Sequence, residues 1–207
     1  DSDLLRIAKD PRKVADITLE EIQKVDAGSW KGEAFKGERV PTLEEVVDAA
    51  VAGKLGLNIE LKPVVGGEAE LAARTIEVLQ ARGALERCVL TSLSTMAIVE
   101  AKKVEPRVRT GQIISAVIGR PAALGTDMFA LNTKLVSGRT LGWGKGTALG
   151  VHAWTVNDPD QMTRLALRGV RGVITDDVEA MVKRRDEWKQ LTDLERLLLA
   201  VRAYWVG

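Results

Sequence analysis

Cysteine and histidine are almost missing from this sequence of 207 residues. Cys88 is the single cysteine, so an internal disulfide is impossible and the redox compartment is left undecided. Cys88 is predicted to be a buried residue of a strand. His152 is the single histidine, and with no second histidine and no serine or cysteine motif beside it, a structural role is favoured over a catalytic one.

The sequence also lacks an excess of either charge and any long apolar run. Its 30 Lys and Arg against 29 Asp and Glu give a net charge of +1, too little to attract nucleic acid, so no nucleic-acid partner is expected. No apolar run approaches the roughly 18 residues that cross a bilayer, and the opening Asp1-Ser2-Asp3 has no signal-peptide features. The chain as given is expected to be soluble, and the compartment is left open.

What is present is an ordinary globular composition, with 45% hydrophobic and 29% charged residues. Strand-like and helix-like patterns alternate along the chain, which is typical of a parallel sheet, either a barrel or a doubly wound fold. A capping box at Thr42 and Glu45 begins the first clear helix. Strands are predicted at residues 57–62, 88–92, 109–114, 128–132, 151–156 and 172–175, and further helices at 69–82, 95–104, 158–167 and 178–189.

Six strands are two fewer than a closed (β/α)8 barrel requires. The region before Pro41 predicts a helix but no strand pair. We therefore expect an α/β fold of the TIM (β/α)8-barrel type that is incomplete, with the first two strands missing, over residues 1–190, and a C-terminal amphipathic helix over 191–207. Unpaired strand edges would make the chain by itself only marginally stable.

The segment Gly142-Trp143-Gly144-Lys145-Gly146 falls where a helix is due. Each interior glycine costs roughly 1 kcal/mol relative to alanine, so the helix is expected to be short or broken. A phosphate-cradling loop is the functional alternative. Because Gly146 stands where a Walker motif has Ser or Thr, a surface turn is favoured.

The C-terminal tail opens on a second capping box, Thr192 with Glu195. Its apolar residues form one stripe, namely Leu194, Leu197, Leu198, Val201 and Trp205. We expect this helix to pack against the barrel wall. A membrane-surface or partner helix, through Tyr204 and Trp205, is the alternative, although no basic face supports the membrane version.

Polar side chains at the carboxyl ends of parallel strands converge on one mouth of a barrel. Glu60 and Lys62 alternate with Ile59 and Leu61, so both are expected to point inward, where a metal, an anion or their own ion pair must offset the cost of burying charge. A ligand site and a structural ion pair fit this pattern equally well. Trp154, near another strand end, is either a pocket wall or an ordinary core residue.

Other polar groups follow two further strands. The loop Thr175-Asp176-Asp177 could contribute to phosphate binding, and the hydroxyls of Ser92 and Ser94 could bind a substrate oxygen. Helix capping is the safer interpretation of the loop, and serine at a helix start is common for capping alone.

Six segments, in this order, resemble the glycerophosphodiester phosphodiesterase family over residues 1 to about 179. Each is weak alone, but the series is specific. They are residues 1–8 (DSDLLRIA), 25–30 (VDAGSW), 40–46 (VPTLEEV), 58–62 (NIELK), 154–157 (WTVN) and 172–176 (GVITD).

The resemblance implies hydrolysis of small-molecule glycerophosphodiesters to glycerol 3-phosphate and an alcohol, with two histidines as general acid and base. It implies that Glu60 is a ligand of a divalent metal, Mg²⁺ or Ca²⁺, that Lys62 assists in holding the phosphate, and that Trp154 lines the glycerol pocket. Asp1 matches the aspartate that follows the family's second catalytic histidine. A likeness of the tail to members with a membrane domain implies membrane attachment through a missing N-terminal region.

Neither family histidine is in the chain, and the Glu-x-Asp metal pair is absent as well. Glu60 alone is too few ligands for a hard cation. The resemblance therefore implies that the complete protein is active and that this chain alone is not. A non-catalytic barrel that binds a ligand or partner is the main alternative, and an unrelated phosphate-binding barrel enzyme is a third. Arg171 and the glycines of residues 142–146 depart from the family pattern.

Overall fold

The computed structural model describes residues 1–116 and 125–206. The chain divides into two compact units, Asp1–Arg109 and Thr110–Gly207. No helix among the described residues is both long and apolar enough to cross a membrane. Each unit has its own hydrophobic core and is described by itself.

The first unit contains four strands and five helices. In chain order they are β1 (Asp3–Leu4), α1 (Leu5–Ala8), β2 (Asp10–Lys13), α2 (Leu19–Ile22), α3 (Leu43–Ala52), β3 (Leu57–Glu60), α4 (Glu68–Ala81), β4 (Cys88–Ser92) and α5 (Thr95–Val104). The predicted capping box begins α3, where Thr42 Oγ1 accepts from the N–H of Glu45 and the Glu45 carboxylate accepts from the N–H of Thr42. The prediction from the capping pattern is confirmed.

The core of this unit lies between the strand pair β3–β4 and the helices that follow each strand. The two strands are parallel, with Glu60 opposite Thr91. Leu61 and Leu90 from the strand side pack with Ile76 of α4 and Ala97 of α5, and all four are buried. One face of the pair is therefore covered by helices, which leaves the other face for polar side chains.

The region before Pro41 contains a strand pair that the sequence pattern did not predict. The strands β1 and β2 are antiparallel, with Asp3 opposite Lys13 and Leu4 opposite Asp10. The prediction was wrong because two- and four-residue strands rich in charged residues show no alternation of apolar and polar positions. Leu4 alone in the pair is buried.

The second unit carries the remaining strands. They and their helices are β5 (Arg109–Ile114, starting at the last residue of the first unit), β6 (Met128–Asn132), α6 (Gly138–Leu141), β7 (Gly150–Trp154), α7 (Pro159–Leu167), β8 (Gly172–Val173), α8 (Val178–Gln190) and α9 (Asp193–Val206). β5 pairs in parallel with β6, β6 with β7, and β7 with β8. Leu131, Ala153, Val156 and Leu165 lie at the centre of its core.

The glycine-rich segment after β6 forms a short, broken helix, as predicted. The helix α6 ends at Leu141 and a single 3₁₀ turn covers Gly142–Gly144. A Cβ on Gly144 would lie 2.8 Å from Cγ2 of Val151, so glycine lets this turn approach β7 closely.

The C-terminal helix begins at the predicted capping box, with Glu195 N–H donating to Thr192 Oγ1 and Thr192 N–H donating to the Glu195 carboxylate. The predicted packing of its apolar stripe is wrong, and the side chain of Trp205 lies outside the described residues. Leu194, Leu197, Leu198 and Val201 are 49–65% exposed. The helix α9 contacts α7, and Arg196 donates to the carbonyls of Trp188 and Lys189 near the end of α8.

Candidate functional site

Glu60 and Lys62 extend from the uncovered face of the β3 segment. Ile59 and Leu61 point the other way and pack against the helices, so the two charged residues share one face, as the alternation predicted. Their side chains are 37% and 46% exposed, and Lys62 Nζ lies 3.6 Å from a carboxylate oxygen of Glu60. This separation and exposure describe a loose ion pair that contributes little to stability.

The backbone between these two residues is held firmly by β4. Leu61 donates its N–H to the carbonyl of Thr91 at 2.7 Å, and its own carbonyl accepts from the buried hydroxyl of Ser92 at 2.7 Å. Ser92 also accepts from the N–H of Ser94 at 3.0 Å. The Ser92 hydroxyl is therefore committed to fixing the end of β3, while Ser94 caps α5 through the N–H of Ala97.

A second carboxylate approaches Lys62 from the start of the chain. Asp1 Oδ1 lies 3.7 Å from Lys62 Nζ, and Asp1 Oδ2 accepts from Nε of Arg6 at 2.7 Å. The ammonium of Lys62 thus lies between the carboxylates of Asp1 and Glu60. We call Asp1, Glu60 and Lys62 the β3 charge cluster.

An aromatic ring extends this arrangement. The guanidinium carbon of Arg6 lies 5.1 Å from the centroid of the Trp30 ring, within the range of a cation–π contact. The ring is 52% exposed, and its indole N–H donates to the carbonyl of Ala27 at 2.9 Å. Trp30 therefore presents an apolar face beside the charged residues.

The loop that carries Trp30 is organised by one carboxylate. Asp26 accepts hydrogen bonds from the N–H groups of Gly28, Ser29 and Gly37 and from the Ser29 hydroxyl, at 2.7–3.0 Å. The Ser29 hydroxyl and these amides hold the pKa of Asp26 far below its usual value. Asp26 consequently acts as the anchor of the loop.

Trp154 and His152 lie on the same face of β7 in the second unit. The indole N–H of Trp154 donates to the carbonyl of Ala130 at 3.0 Å, and the ring is half-buried. The His152 ring occupies the space over Gly172, where a Cβ would come within 2.9 Å of it. Burial lowers the pKa of His152, which agrees with a packed, neutral ring.

The loops after β7 and β8 are joined by a short hydrogen-bond network. Asn157 donates to Asp176 at 2.9 Å and accepts from the Thr175 hydroxyl and the Asp176 N–H at 3.0 and 2.9 Å. Asp177 caps α8 through the N–H of Ala180. Capping was predicted for this loop, whereas the partnership of Asp176 with Asn157 was not.

The β3 charge cluster does not form a complete metal site by itself. Among the described residues there is no group of three or more His, Cys, Asp or Glu side chains placed to hold a metal ion. Glu60 and Asp1 both face the ammonium of Lys62, a cation already present between them. Since Mg²⁺ and Ca²⁺ prefer six or more oxygen ligands, these side chains alone do not fit such an ion.

Sequence reasoning placed Glu60 and Lys62 together but missed their contact with Asp1 and the ring of Trp30 beside Arg6. No local pattern could have found the Asp1–Lys62 contact, because the two residues are far apart along the chain. One signal pointed to Trp30, namely its position in the VDAGSW segment that carries the family resemblance. No role had been assigned to that segment.

Comparison with known proteins gives a consistent result. Residues 1–180 match the profile described as the glycerophosphoryl diester phosphodiesterase family. A glycerophosphodiester phosphodiesterase of Caldanaerobacter subterraneus is 31% identical over 178 residues, which cover 82% of this chain and 71% of that protein. One of Bacillus subtilis is 33% identical over 189 residues, covering 78% of this chain and 62% of that protein.

A solved structure shows the same likeness in three dimensions. It is a phosphodiesterase from Oleispira antarctica in complex with the product sn-glycerol-3-phosphate, with a TM-score of 0.81 and 28% identity, covering 90% of this chain and 77% of that one. The likeness confirms the predicted class, an α/β fold of the (β/α)8-barrel type that is incomplete, with six parallel strands.

Proposed function

The chain belongs to the glycerophosphoryl diester phosphodiesterase family, and on that premise we propose that the protein hydrolyses glycerophosphodiesters to glycerol 3-phosphate and an alcohol. In the net reaction, a water oxygen forms a bond to phosphorus and the bond from phosphorus to the alcohol oxygen breaks. The alcohol oxygen takes up a proton as it leaves. The observation that carries the proposal is the β3 charge cluster at the carboxyl end of a parallel strand, where such barrels carry their reactive groups.

Lys62 is the phosphate-binding group of this proposal. Its ammonium is 46% exposed and its two carboxylate neighbours lie at 3.6 and 3.7 Å, beyond hydrogen-bond distance. A phosphoryl oxygen can therefore approach it without breaking a short bond. An ammonium also stabilises the negative charge that develops on phosphoryl oxygens during the reaction.

Glu60 is proposed to supply one oxygen ligand of a divalent-metal site, Mg²⁺ or Ca²⁺. The remaining ligands must come from outside the described residues, because these hold no complete cluster. In this proposal the general acid and the general base also come from outside the described residues. The one histidine of the chain, His152, is packed over Gly172 and is not available for proton transfer. The 207 residues alone are therefore proposed to be inactive.

Trp154 is proposed to line the part of the pocket that holds the glycerol group. Its ring is half-buried and fixed through the indole N–H to Ala130, so its position is defined before any ligand binds. A fixed aromatic wall suits the carbon skeleton of glycerol.

The proposal is tested by comparing these 207 residues with a protein extended by whatever the gene encodes upstream. Release of glycerol 3-phosphate from glycerophosphocholine is measured with a coupled assay, with and without added Mg²⁺ or Ca²⁺. We expect metal-dependent turnover by the extended protein only. Equal turnover by the 207 residues would show that the active groups are misplaced, and inactivity of both would refute the proposed reaction.

A non-catalytic binding module is the second candidate function. It is favoured by the incomplete ligand set among the described residues and by the packing of His152. Calorimetry with sn-glycerol 3-phosphate distinguishes the two. Binding by an extended protein that never turns over glycerophosphocholine supports the module, whereas binding together with turnover supports the enzyme.

A further inference from the structure

A cavity of about 350 Å³, open to solvent, lies in the second unit at the amino ends of β7 and β8. Its volume is at the lower end of the range for small-molecule pockets, roughly 300–1,000 Å³. The walls combine the glycine-rich turn after α6 with the turn between α7 and β8. The lining residues used below are Gly144, Lys145, Thr147, Gly150, Arg168 and Arg171.

Three cationic side chains surround this cavity, and its lining contains no carboxylate. Within residues 1–116 and 125–206, none of Lys145, Arg168 and Arg171 forms an ion pair. By contrast, Arg164 and Arg184 of the same unit pair with Asp158 and Asp160. An anion in this cavity would therefore meet three cationic residues and no carboxylate in the lining, and opposite charges attract one another.

The walls of the cavity are held in place. Arg168 donates to the carbonyl of Val136 at 2.9 Å, which fixes one cation. The Arg171 side chain lies against Gly150, because a Cβ there would be 2.6 Å from its Cγ. The hydroxyl of Thr147 bonds the carbonyl of Gly144 at 2.9 Å and so closes the glycine-rich turn that carries Lys145.

The cavity is separate from the candidate active-site residue of the same unit. Gly150 begins β7 and Trp154 ends it, so the two are about 13 Å apart at a rise of roughly 3.3 Å per residue. Reactive groups of such barrels gather at the carboxyl ends of the strands. The cavity lies at the opposite end, so the proposed hydrolysis makes no use of it.

We propose that this cavity is a binding site for a phosphate-bearing ligand, either a free phosphate compound or the phosphate head group of an anionic lipid. Arginine offers planar paired N–H donors to phosphate oxygens, and lysine adds a mobile charge. The guanidinium of Arg171 and the ammonium of Lys145 supply the specific contacts with the phosphate. Arg168, which is bonded to the carbonyl of Val136, contributes charge from a fixed position.

The two sources are separated by two probes. Inorganic pyrophosphate is titrated into the chain by calorimetry without metal ions, and co-sedimentation is measured with phosphatidylcholine vesicles that contain or lack phosphatidic acid. We expect binding in at least one arm, weakened by added salt because the contacts are ionic. Binding to pyrophosphate without binding to vesicles identifies a soluble ligand. Co-sedimentation only with the vesicles that contain phosphatidic acid identifies a lipid head group.

The variant Lys145→Gln with Arg171→Gln tests the assignment, and Lys183→Gln is the matched control, an exposed lysine of α8 that lies outside the cavity lining. The double variant should bind at least about tenfold more weakly, and the control should bind like the unaltered chain. The single variant Lys145→Gln, at an exposed turn position, provides the same test with a smaller effect if the double variant unfolds.

Two results would overturn the proposal. One is the absence of binding to either probe, and the other is undiminished binding by the double variant. If binding is then lost in Lys62→Gln, the anion lies at the β3 charge cluster instead.

Discussion

The end of β3 and the loops after β7 and β8 hold their polar groups in different ways. At β3, Lys62 is separated from its two carboxylates by 3.6 and 3.7 Å, and all three side chains are more than one third exposed. After β7 and β8, Asn157 makes three hydrogen bonds of 2.9–3.0 Å to Thr175 and Asp176. The first region has spare donor and acceptor capacity, whereas the second has used most of it.

The difference shows how to separate ligand-binding groups from groups that maintain the fold. Charged groups that touch only loosely can exchange partners for a ligand at small cost. Groups in short, mutually satisfied bonds lose those bonds when a ligand binds. The β3 charge cluster is therefore expected to respond to substitution mainly through activity, and the bonded groups of Asn157, Thr175 and Asp176 mainly through stability.

The largest effect is expected from Glu60→Gln, measured in a protein that shows the proposed turnover. Loss of the carboxylate charge should lower kcat/KM at least about 100-fold, since one well-placed electrostatic contact is worth this much. Thermal unfolding should change little, because the ion pair is loose and half-exposed. Glu70→Gln, at an exposed helix position, is the control and should leave kcat/KM unchanged. Full activity of Glu60→Gln would remove the proposed ligand role.

The next largest effect is expected from Ser92→Ala. The substitution leaves the Leu61 carbonyl without its buried hydroxyl partner, at a cost of about 1–3 kcal/mol in the free energy of unfolding measured with urea. It should also lower activity, because the end of β3 loosens. Ser94→Ala removes only a helix cap, at about 1 kcal/mol, and should not affect kcat. If both variants lower kcat equally, the fixing role of Ser92 is wrong.

A smaller effect is expected from Trp154→Phe. The smaller ring loses the bond to Ala130 and shifts the proposed glycerol wall, so KM for glycerophosphocholine should rise about tenfold with a smaller change in kcat. Trp143→Phe is the matched control, since Trp143 is buried and its ring centroid lies 6.2 Å from that of Phe129. That control should lose stability and keep its KM. A KM increase in both variants would contradict a specific role for Trp154.

The smallest effect is expected in the pH dependence of stability. Burial lowers the pKa of His152 below 6.5, so the unfolded chain binds this proton first and stability declines as the pH falls through 6.5.

In the first unit, bonds from Arg107 lower the pKa of Glu105 from 4.5 to about 2. The stability that Glu105 contributes is therefore present above pH 4.5 and is lost as the pH falls toward about 2.

The free energy of unfolding, measured with urea from pH 7 to pH 3, tests both expectations. The variant His152→Gln should flatten the curve near pH 6 and leave the acidic part unchanged. The variant Glu105→Gln should do the reverse and make the acidic part less steep, while Asp26, whose pKa is also lowered, maintains the rest of it. An unchanged slope near pH 6 in His152→Gln would show that the ring is solvated in the folded protein.

Local patterns predicted the elements well where their signals were complete. The capping boxes at Thr42 and Thr192 carry both halves of a reciprocal pair within four residues, so they begin helices as expected. The alternation around Glu60 likewise predicted its face, because strand periodicity is a local property. The six main strands followed from the same kind of signal.

Features that depend on distant contacts were missed. The pairing of β1 with β2 and the contact of Asp1 with Lys62 require a folded chain, and neither leaves a periodic trace in the sequence. The stripe of α9 was predicted to pack, but its leucines are exposed, while α9 contacts α7 and Arg196 bonds the end of α8. Amphipathicity indicated a helix correctly and gave its orientation wrongly.

The loop between Asp26 and Gly37 also limits how this protein can be engineered. A side chain at Gly28 would collide with the carbonyl oxygen of Phe35, and any larger residue would have to push apart the turn that presents Trp30. A library that varies this loop should keep Gly28 fixed and diversify Lys31 and Glu33, which are both exposed. Variation there would alter the surface of the loop that carries Trp30 while leaving the hydrogen bonds of Asp26 in place.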